Sequence, residues 1–439
     1  MKIAYFSPFK PIKSGISDFS EELVMELKNL VDIDIFVDGY TPSNKKITEN
    51  FKIYNIRDIY NNDIRKQYDH LIYHIGNNAK AHSAILKAFE DFPGICELHD
   101  VSLHHFIAEE TIDKGKYDEY VEIMNYCHGD KGKSRALAFL EGRALPPWEE
   151  DPLTYTVSKH IIDRAKALIV HSDFAKQMVL GINSTIPVVT IPHHTSDIVD
   201  NFDLFKQTCR HKLGIDDRVT VLASFGFASC NKRIPQILEA LARFKTDRKK
   251  DFMYYIVGKN QCEDLEKRIK ELNLVDNVII TGFTSLDMFK CYMGACDIAL
   301  NLRYPTMGES SGSIHRLLGM GKPVIVTDIG SFQEFPDDVV VKVTYGDSEV
   351  NEIFKAIDRL TKDKGMMHAY CQKAHDYAKK HYDIQITARM YADYFQALQE
   401  NRFQKDRVDS FIDRLFEIGL ADEKYIDHLS DKRALELVY

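Results

Sequence analysis

Two stretches concentrate side chains able to hold a multiply charged anion. The first is Asn301-Leu302-Arg303-Tyr304-Pro305-Thr306-Met307-Gly308-Glu309-Ser310-Ser311-Gly312-Ser313, which leaves an apolar run and enters a helical pattern reaching Met320. A helix that begins on small residues leaves the N–H groups of Ser311, Gly312 and Ser313 available to a phosphate. Glu309 and the serines would equally serve as plain helix caps, and spacing alone leaves both readings open. The second stretch, Phe225-Gly226-Phe227-Ala228-Ser229-Cys230-Asn231-Lys232-Arg233, also joins an apolar run to a helical pattern. Ligands of open α/β sheets collect at the carboxyl ends of strands, so Lys232 and Arg233 are placed to neutralise a diphosphate. A solvated basic pair is the alternative.

Other candidates are weaker. His99, Asp100, His104 and His105 form the one cluster of metal-like composition, but their spacing shows no ligand geometry, and no metal is expected. His193-His194 reads as hinge packing rather than ligation. Tyr304 and Phe227 are pocket-lining or core aromatics. No G-x-G-x-x-G fingerprint and no Walker A lysine motif occurs, which removes the main support for oxidoreductase and P-loop readings.

The elements that must position these residues are short, continuously apolar runs. Ile3 to Phe6, Asp34 to Val37, His70 to Ile75, Gly94 to Leu98, Ala167 to His171 and Pro187 to Ile191 read as strands. The pattern restarts with Val219 to Ser224, Met253 to Val257, Val278 to Thr281, Ile298 to Asn301 and Val324 to Thr327. Continuous hydrophobicity implies strands covered on both faces, hence parallel sheets with crossover helices. The expected fold class is α/β, with two doubly wound units. Both open alike: a strand, a small-residue turn, then an amphipathic helix, with Asp18 and Glu21 at capping-box spacing in the first. The polar stretch Thr195 to Asp203 sets the boundary near Asp200.

The ordered set Ser7-Pro8 with Ser14-Gly15, Gly226 with Lys232, Gly282-Phe283, Gly308-Glu309 through Gly312, and Gly321-Lys322-Pro323-Val324-Ile325-Val326-Thr327-Asp328 resembles the retaining nucleotide-sugar glycosyltransferases of family 4, of bacterial mannosyl or rhamnosyl type. The resemblance covers roughly residues 1 to 398. It implies the GT-B fold, two facing Rossmann-like domains with a cleft between them. Residues 1–199 would form the acceptor domain, with a helical insert at about 118–150, and residues 200–382 the donor domain. Residues 383–400 would be a helix crossing back to the first domain, and 401–439 a helical extension. By the same likeness, Lys232 would bind the donor diphosphate, Glu309 would contact the transferred sugar, and His99 would reach that sugar across the cleft; these are the expected catalytic residues. Gly15, Asp100, Gly226, Arg233, Gly282, Phe283, Ser311, Gly312 and Ser313 would complete the substrate site.

Two positions depart from that pattern. Relatives often carry a second glutamate eight residues after the first, where this chain has Leu317, and an arginine after the lysine motif's glycine, where it has Phe227. Arg233 or Arg316 would be the substitutes. The implied reaction moves a hexose or deoxyhexose from a nucleoside-diphosphate sugar to a hydroxyl of a glycan or lipid-linked glycan. The leaving diphosphate needs positive charge and N–H donors more than it needs a proton. The departing phosphate oxygen would take the acceptor's hydroxyl proton in a front-face transfer, without metal or other cofactor. A retaining glycosidase would need two carboxylates about 5 Å apart, and no such pair is recognisable. A nucleotide-sugar 2-epimerase and a non-catalytic sugar-binding scaffold are the alternatives.

Composition agrees with an enzyme of two or three domains. The 439 residues carry 57 basic and 66 acidic side chains, a formal charge of −9, so no global positive field draws nucleic acid. Apolar residues at 44% support a folded core. Eight scattered cysteines suggest a reducing, cytoplasmic setting. Neither a signal peptide nor an 18-residue apolar span is expected. Val408, Phe411, Ile412, Leu415 and Phe416 fall at helical spacing in the tail. They suggest packing on the protein itself or, failing that, on a protein partner or the inner membrane surface.

Overall fold

The computed structural model describes residues 1–400 except 249 and 250; the tail pattern between Val408 and Phe416 lies outside the described residues. Residues Lys2–Phe6 (β1), Asp32–Val37 (β2), Lys52–Asn55 (β3), His70–Ile75 (β4), Ile95–Leu98 (β5), Ala167–Val170 (β6) and Val188–Thr190 (β7) form one parallel sheet, ordered β3-β2-β1-β4-β5-β6-β7. Thr220–Phe225 (β8), Phe252–Val257 (β9), Val278–Ile280 (β10), Ile298–Asn301 (β11), Val324–Thr327 (β12) and Val341–Val343 (β13) form a second, ordered β10-β9-β8-β11-β12-β13. In each, the chain runs outward from a central strand, returns across it and continues the other way. The reversal opens a crevice at the carboxyl ends of β1 and β4 and of β8 and β11.

Burial on both faces explains the apolar strands. One face of the first sheet packs Phe6, Phe36, Tyr73 and Leu98 against Phe89 and Phe106, and the other packs Ile3, Ile35 and Ile72 against Leu23 and Tyr391. The second sheet is covered likewise, by Leu238 and Ile357 on one side and Leu317 and Ala378 on the other. Two edge strands go beyond the sequence expectation. β3 is half-polar and partly exposed, and β13 spans only three residues, so neither shows a long apolar run. The first helix also starts earlier than the capping-box spacing suggests. Ser14 caps Gly15–Leu27 by accepting from the Ile16 N–H, while Glu21 accepts from the Lys10 N–H and Asn44 Nδ2 instead.

The insert is helical from Tyr117 to Leu140, broken at Gly129, and is followed by the short helix Pro147–Glu150. Trp148 anchors that helix on Phe139 and His104, with ring centroids 5.1 and 5.0 Å apart. Among the described residues no helix is long and apolar enough to cross a membrane.

The chain passes between the sheets twice, and the two passages are tied together. Thr195 donates its N–H to the Tyr382 carbonyl at 2.7 Å and bridges Asp383. The last described helix, Ile384–Gln399, then packs against the first helix and the first sheet. Tyr391 donates to Glu97 Oε1 at 2.8 Å, Tyr394 to the Leu168 carbonyl at 3.1 Å, and Phe395 is fully buried. Beside the hinge, Arg316 and Lys290 from the second domain meet Glu22 and Asp197: Arg316 Nη2 lies 2.9 Å from Glu22 and Lys290 2.8 Å from Asp197. Burial alone would raise the Glu22 pKa, but His194, Arg316 and Lys290 together hold it well below the usual range.

Replacing Phe395 by Ala should therefore cost about 3–5 kcal/mol, read as an earlier urea transition of the first sheet's domain. An unchanged transition would mean the last helix is not part of that domain's core.

Candidate active site

The site lies where the carboxyl end of β5 meets the loop after β11. The Ser102 N–H donates to the Met307 carbonyl at 2.9 Å across this junction. On the second domain, β8 is followed by Gly226 (φ +85°), and a methyl group there would lie 2.7 Å from Lys232 Nζ. The neighbouring Gly258 is forced by contact as well, because a Cβ would stand 2.1 Å from the Gly226 carbonyl oxygen. These two glycines let the lysine fold back under the strand end and donate to the Phe225 carbonyl. Burial pushes the Lys232 ammonium well below its usual pKa; Arg303 adds to this and Glu309 opposes it. A cation in that condition gains from any anion that enters beside it.

The Asn301-to-Ser313 loop answers the question of capping. Glu309 Oε2 accepts from Thr306 Oγ1 at 2.8 Å and from the Met307 N–H at 2.7 Å, and Oε1 lies 3.4 Å from Arg303 Nε. Its carboxylate is thus spent on its own loop and on Arg303, not on the helix. The helix Gly312–Gly319 has no side-chain cap, because Ser311 Oγ turns to Asn301 Oδ1 at 3.2 Å. Gly312 stands against His193, whose Nε2 would lie 2.9 Å from a Cβ there. The first N–H groups of this helix remain open to a ligand.

Across the junction, Asp100 accepts from the Asn77 N–H at 3.1 Å and faces Glu309. Burial and, after it, the Glu309 charge push its pKa up to about 7. Around a Cβ on Gly15 or Gly282 nothing lies within 4 Å, so both border open space. Phe283, 63% exposed, reaches toward the first domain, where Lys13 Nζ sits 4.5 Å over its ring.

Two expected site residues have close partners of their own. Arg233 is bound by Glu349 through contacts of 3.0, 3.2 and 2.5 Å, which offset its charge. His99 directs Nε2 to His74 Nδ1 and Nδ1 to His171 Nε2, both at 3.1 Å. Both nitrogens are engaged inside the first domain. The proposed substitute Arg316 belongs to the hinge ion cluster, and Leu317 is fully buried in the core. His104 bonds the Tyr155 carbonyl and Tyr120 hydroxyl, both at 2.8 Å, and is structural.

Sequence reasoning missed Arg303 as the partner of Glu309 and missed His74, Glu97 and His171 altogether. A signal was present: His74 and Glu97 are titratable residues inside otherwise apolar strands. Glu97 is fully buried, and burial raises its carboxyl to about 8, against the lowering effect of the Tyr391 hydroxyl. His74, Glu97 and His99 are the described residues that converge closely enough to hold a metal ion.

Residues 205–381 match the family model described as Glycosyl transferases group 1. Among solved structures, the sucrose-phosphate synthase of Thermosynechococcus elongatus superposes with a TM-score of 0.65 at 15% identity, over 91% of this chain and 99% of that one. The fold is GT-B. Anabaena HepE in complex with UDP-glucose gives 0.60 at 16% identity, over 90% and 100% of the two chains. WaaG, a glycosyltransferase involved in lipopolysaccharide biosynthesis, gives 0.57 at 15%, over 90% and 99%. No curated protein matches the sequence. In this GT-B chain the matched segment contains Lys232, Arg303, Glu309 and the open helix start.

The Asp100 pKa carries a pH prediction. A carboxyl raised from 3.8 to about 7 in the folded chain destabilises it once ionised, so its contribution falls as pH climbs from about 4 to 7. Asp100→Asn should keep a melting temperature that varies less between pH 5 and pH 8 than the parent's. Identical pH profiles would show that Asp100 titrates as an ordinary carboxylate.

Proposed function

We propose that the protein is a retaining glycosyltransferase that moves a hexose or deoxyhexose from a nucleoside-diphosphate sugar to a hydroxyl of a glycan or lipid-linked glycan. One observation carries this reading. Lys232, lowered toward neutrality by burial, lies within electrostatic reach of Arg303 and Glu309, and the helix that follows Glu309 starts without a side-chain cap. Positive charge and N–H donors converge where a departing diphosphate needs them. The glycosyl transferases group 1 match over the same segment, and the UDP-glucose held by HepE on the same fold, support a nucleotide-sugar donor.

In this mechanism Lys232 and the N–H groups of Gly312 and Ser313 hold the diphosphate. Glu309, fixed by Thr306, Met307 and Arg303, accepts from hydroxyls of the sugar. Asp100 closes the sugar pocket from the other domain. As the C1–O bond to phosphate breaks, negative charge grows on the leaving oxygen, next to the lysine. That oxygen takes the proton of the incoming hydroxyl, which bonds to C1 on the same face. No step calls for a metal. Mannose and rhamnose are the family-level expectation for the sugar, polysaccharide assembly for the pathway, and the cytoplasm or its membrane surface for the place.

Offered a panel that includes UDP-glucose, GDP-mannose and dTDP-rhamnose with a mixture of glycan acceptors, the protein should release nucleoside diphosphate from one of them. Lys232→Ala and Glu309→Gln should each lower kcat by about 10²–10³. Epimerised donor appearing by NMR without acceptor would replace transfer by epimerisation. Full activity in both variants would remove this site from the chemistry.

A further inference from the structure

We propose that His74 Nδ1, His99 Nε2 and Glu97 Oε1 form a buried binding site for one divalent zinc ion in the first domain, separate from the diphosphate cradle. The three atoms come from β4, the end of β5 and the turn just after it. They lie 3.1 Å (His74 to His99), 3.5 Å (His74 to Glu97) and 3.7 Å (His99 to Glu97) apart. A triangle with those edges has its centre about 2 Å from every corner, the length of a zinc bond to imidazole nitrogen or carboxylate oxygen. Two imidazoles and one carboxylate are also a donor set that zinc accepts, with a further position left for another ligand.

The tautomers agree. His171 Nδ1 lies 2.9 Å from the Ile191 carbonyl, which can only accept, so a neutral His171 offers its Nε2 lone pair. That lone pair receives the Nδ1–H of His99 at 3.1 Å, which leaves the His99 Nε2 lone pair turned into the triangle. A ligating histidine usually donates its other N–H to such a partner, and here the partner is itself anchored. Without a metal, His74 Nδ1–H donates to the His99 Nε2 lone pair at 3.1 Å; because His74 Nε2 makes no hydrogen bond, the proton can move there and free Nδ1 as a ligand.

The charge balance points the same way. Glu97 and His74 are fully buried. Among the described residues, Glu97 has ion-pair partners only in His74, His99 and His171, and its Oε2 has no hydrogen-bond partner. A buried carboxyl with no lysine or arginine beside it stays protonated unless a cation favours its ionised form. Tyr391 donates to Oε1 at 2.8 Å and orients the carboxylate, so the returning helix supports the site from behind. An ion there would tie β4 to β5 and fix the turn that carries Asp100 and Ser102 to the other domain.

The full-length protein, stripped with chelator and then given zinc or cobalt(II), provides the test. After removal of unbound ion, elemental analysis should find about one zinc per chain, and cobalt(II) should give the intense visible bands of a low-coordinate N/O site. Glu97→Gln and His74→Gln should weaken zinc affinity by more than about tenfold while circular dichroism confirms folding. Substoichiometric metal in the parent, or unaltered affinity in folded variants, overturns the proposal. Should both variants fail to fold, the parent's cobalt(II) spectrum decides alone: weak octahedral bands, as from surface histidines, overturn it.

Discussion

The site depends on holding an ammonium group where water cannot fully solvate it. Lys232 is placed there by two glycines at strand ends, one of which admits its side chain and the other the carbonyl of the first. Its local partners are a backbone carbonyl and, at longer range, Glu309, whose charge Arg303 shares. This is an incomplete ion cluster, and incomplete charge in a low-dielectric crevice attracts what completes it. The Gly312–Gly319 helix, which begins three residues after Glu309, starts without a side-chain cap and so offers N–H groups of its own. Under the proposed function a diphosphate would answer both features, so donor binding and leaving-group stabilisation would fall to the same few groups.

The fold supplies that crevice through strand order alone. In each domain the order reverses beside a central strand, and loops at the carboxyl ends are held apart there. What the second domain lacks, the first brings across: Asp100 opposite Glu309, Lys13 over Phe283, and the Ser102 N–H on the Met307 carbonyl. The relative placement rests on the hinge, where Thr195 meets Tyr382 and where Arg316 and Lys290 face Glu22 and Asp197. Arg316 thereby serves domain geometry.

Much of this was legible in the sequence for one reason: strands buried on both faces are continuously apolar, and the turns after them carry small residues. Of the edge strands, β3 and β13 escaped because β3 is half-polar and partly exposed and Lys342 interrupts β13, whereas β7 and β10 were legible. Lys232, Glu309 and the Ser311-to-Ser313 turn could be picked out because they are local to strand ends. Arg233 and His99 could not be judged that way. Glu349, which occupies Arg233, lies 116 residues away, and His171, which occupies His99, lies 72 away. A pairing at that separation leaves no local trace. The same holds for Glu97 and Tyr391, joined across 294 residues by the returning helix.

The central claim is that phosphate charge, rather than the base or the sugar, provides the binding energy at Lys232. Calorimetric titration with a nucleoside diphosphate, its monophosphate and the bare nucleoside, using whichever base binds, measures this directly. Each phosphate removed should weaken binding by about tenfold or more, as expected for charge-assisted hydrogen bonds. A nucleoside that binds as tightly as its diphosphate would contradict the account.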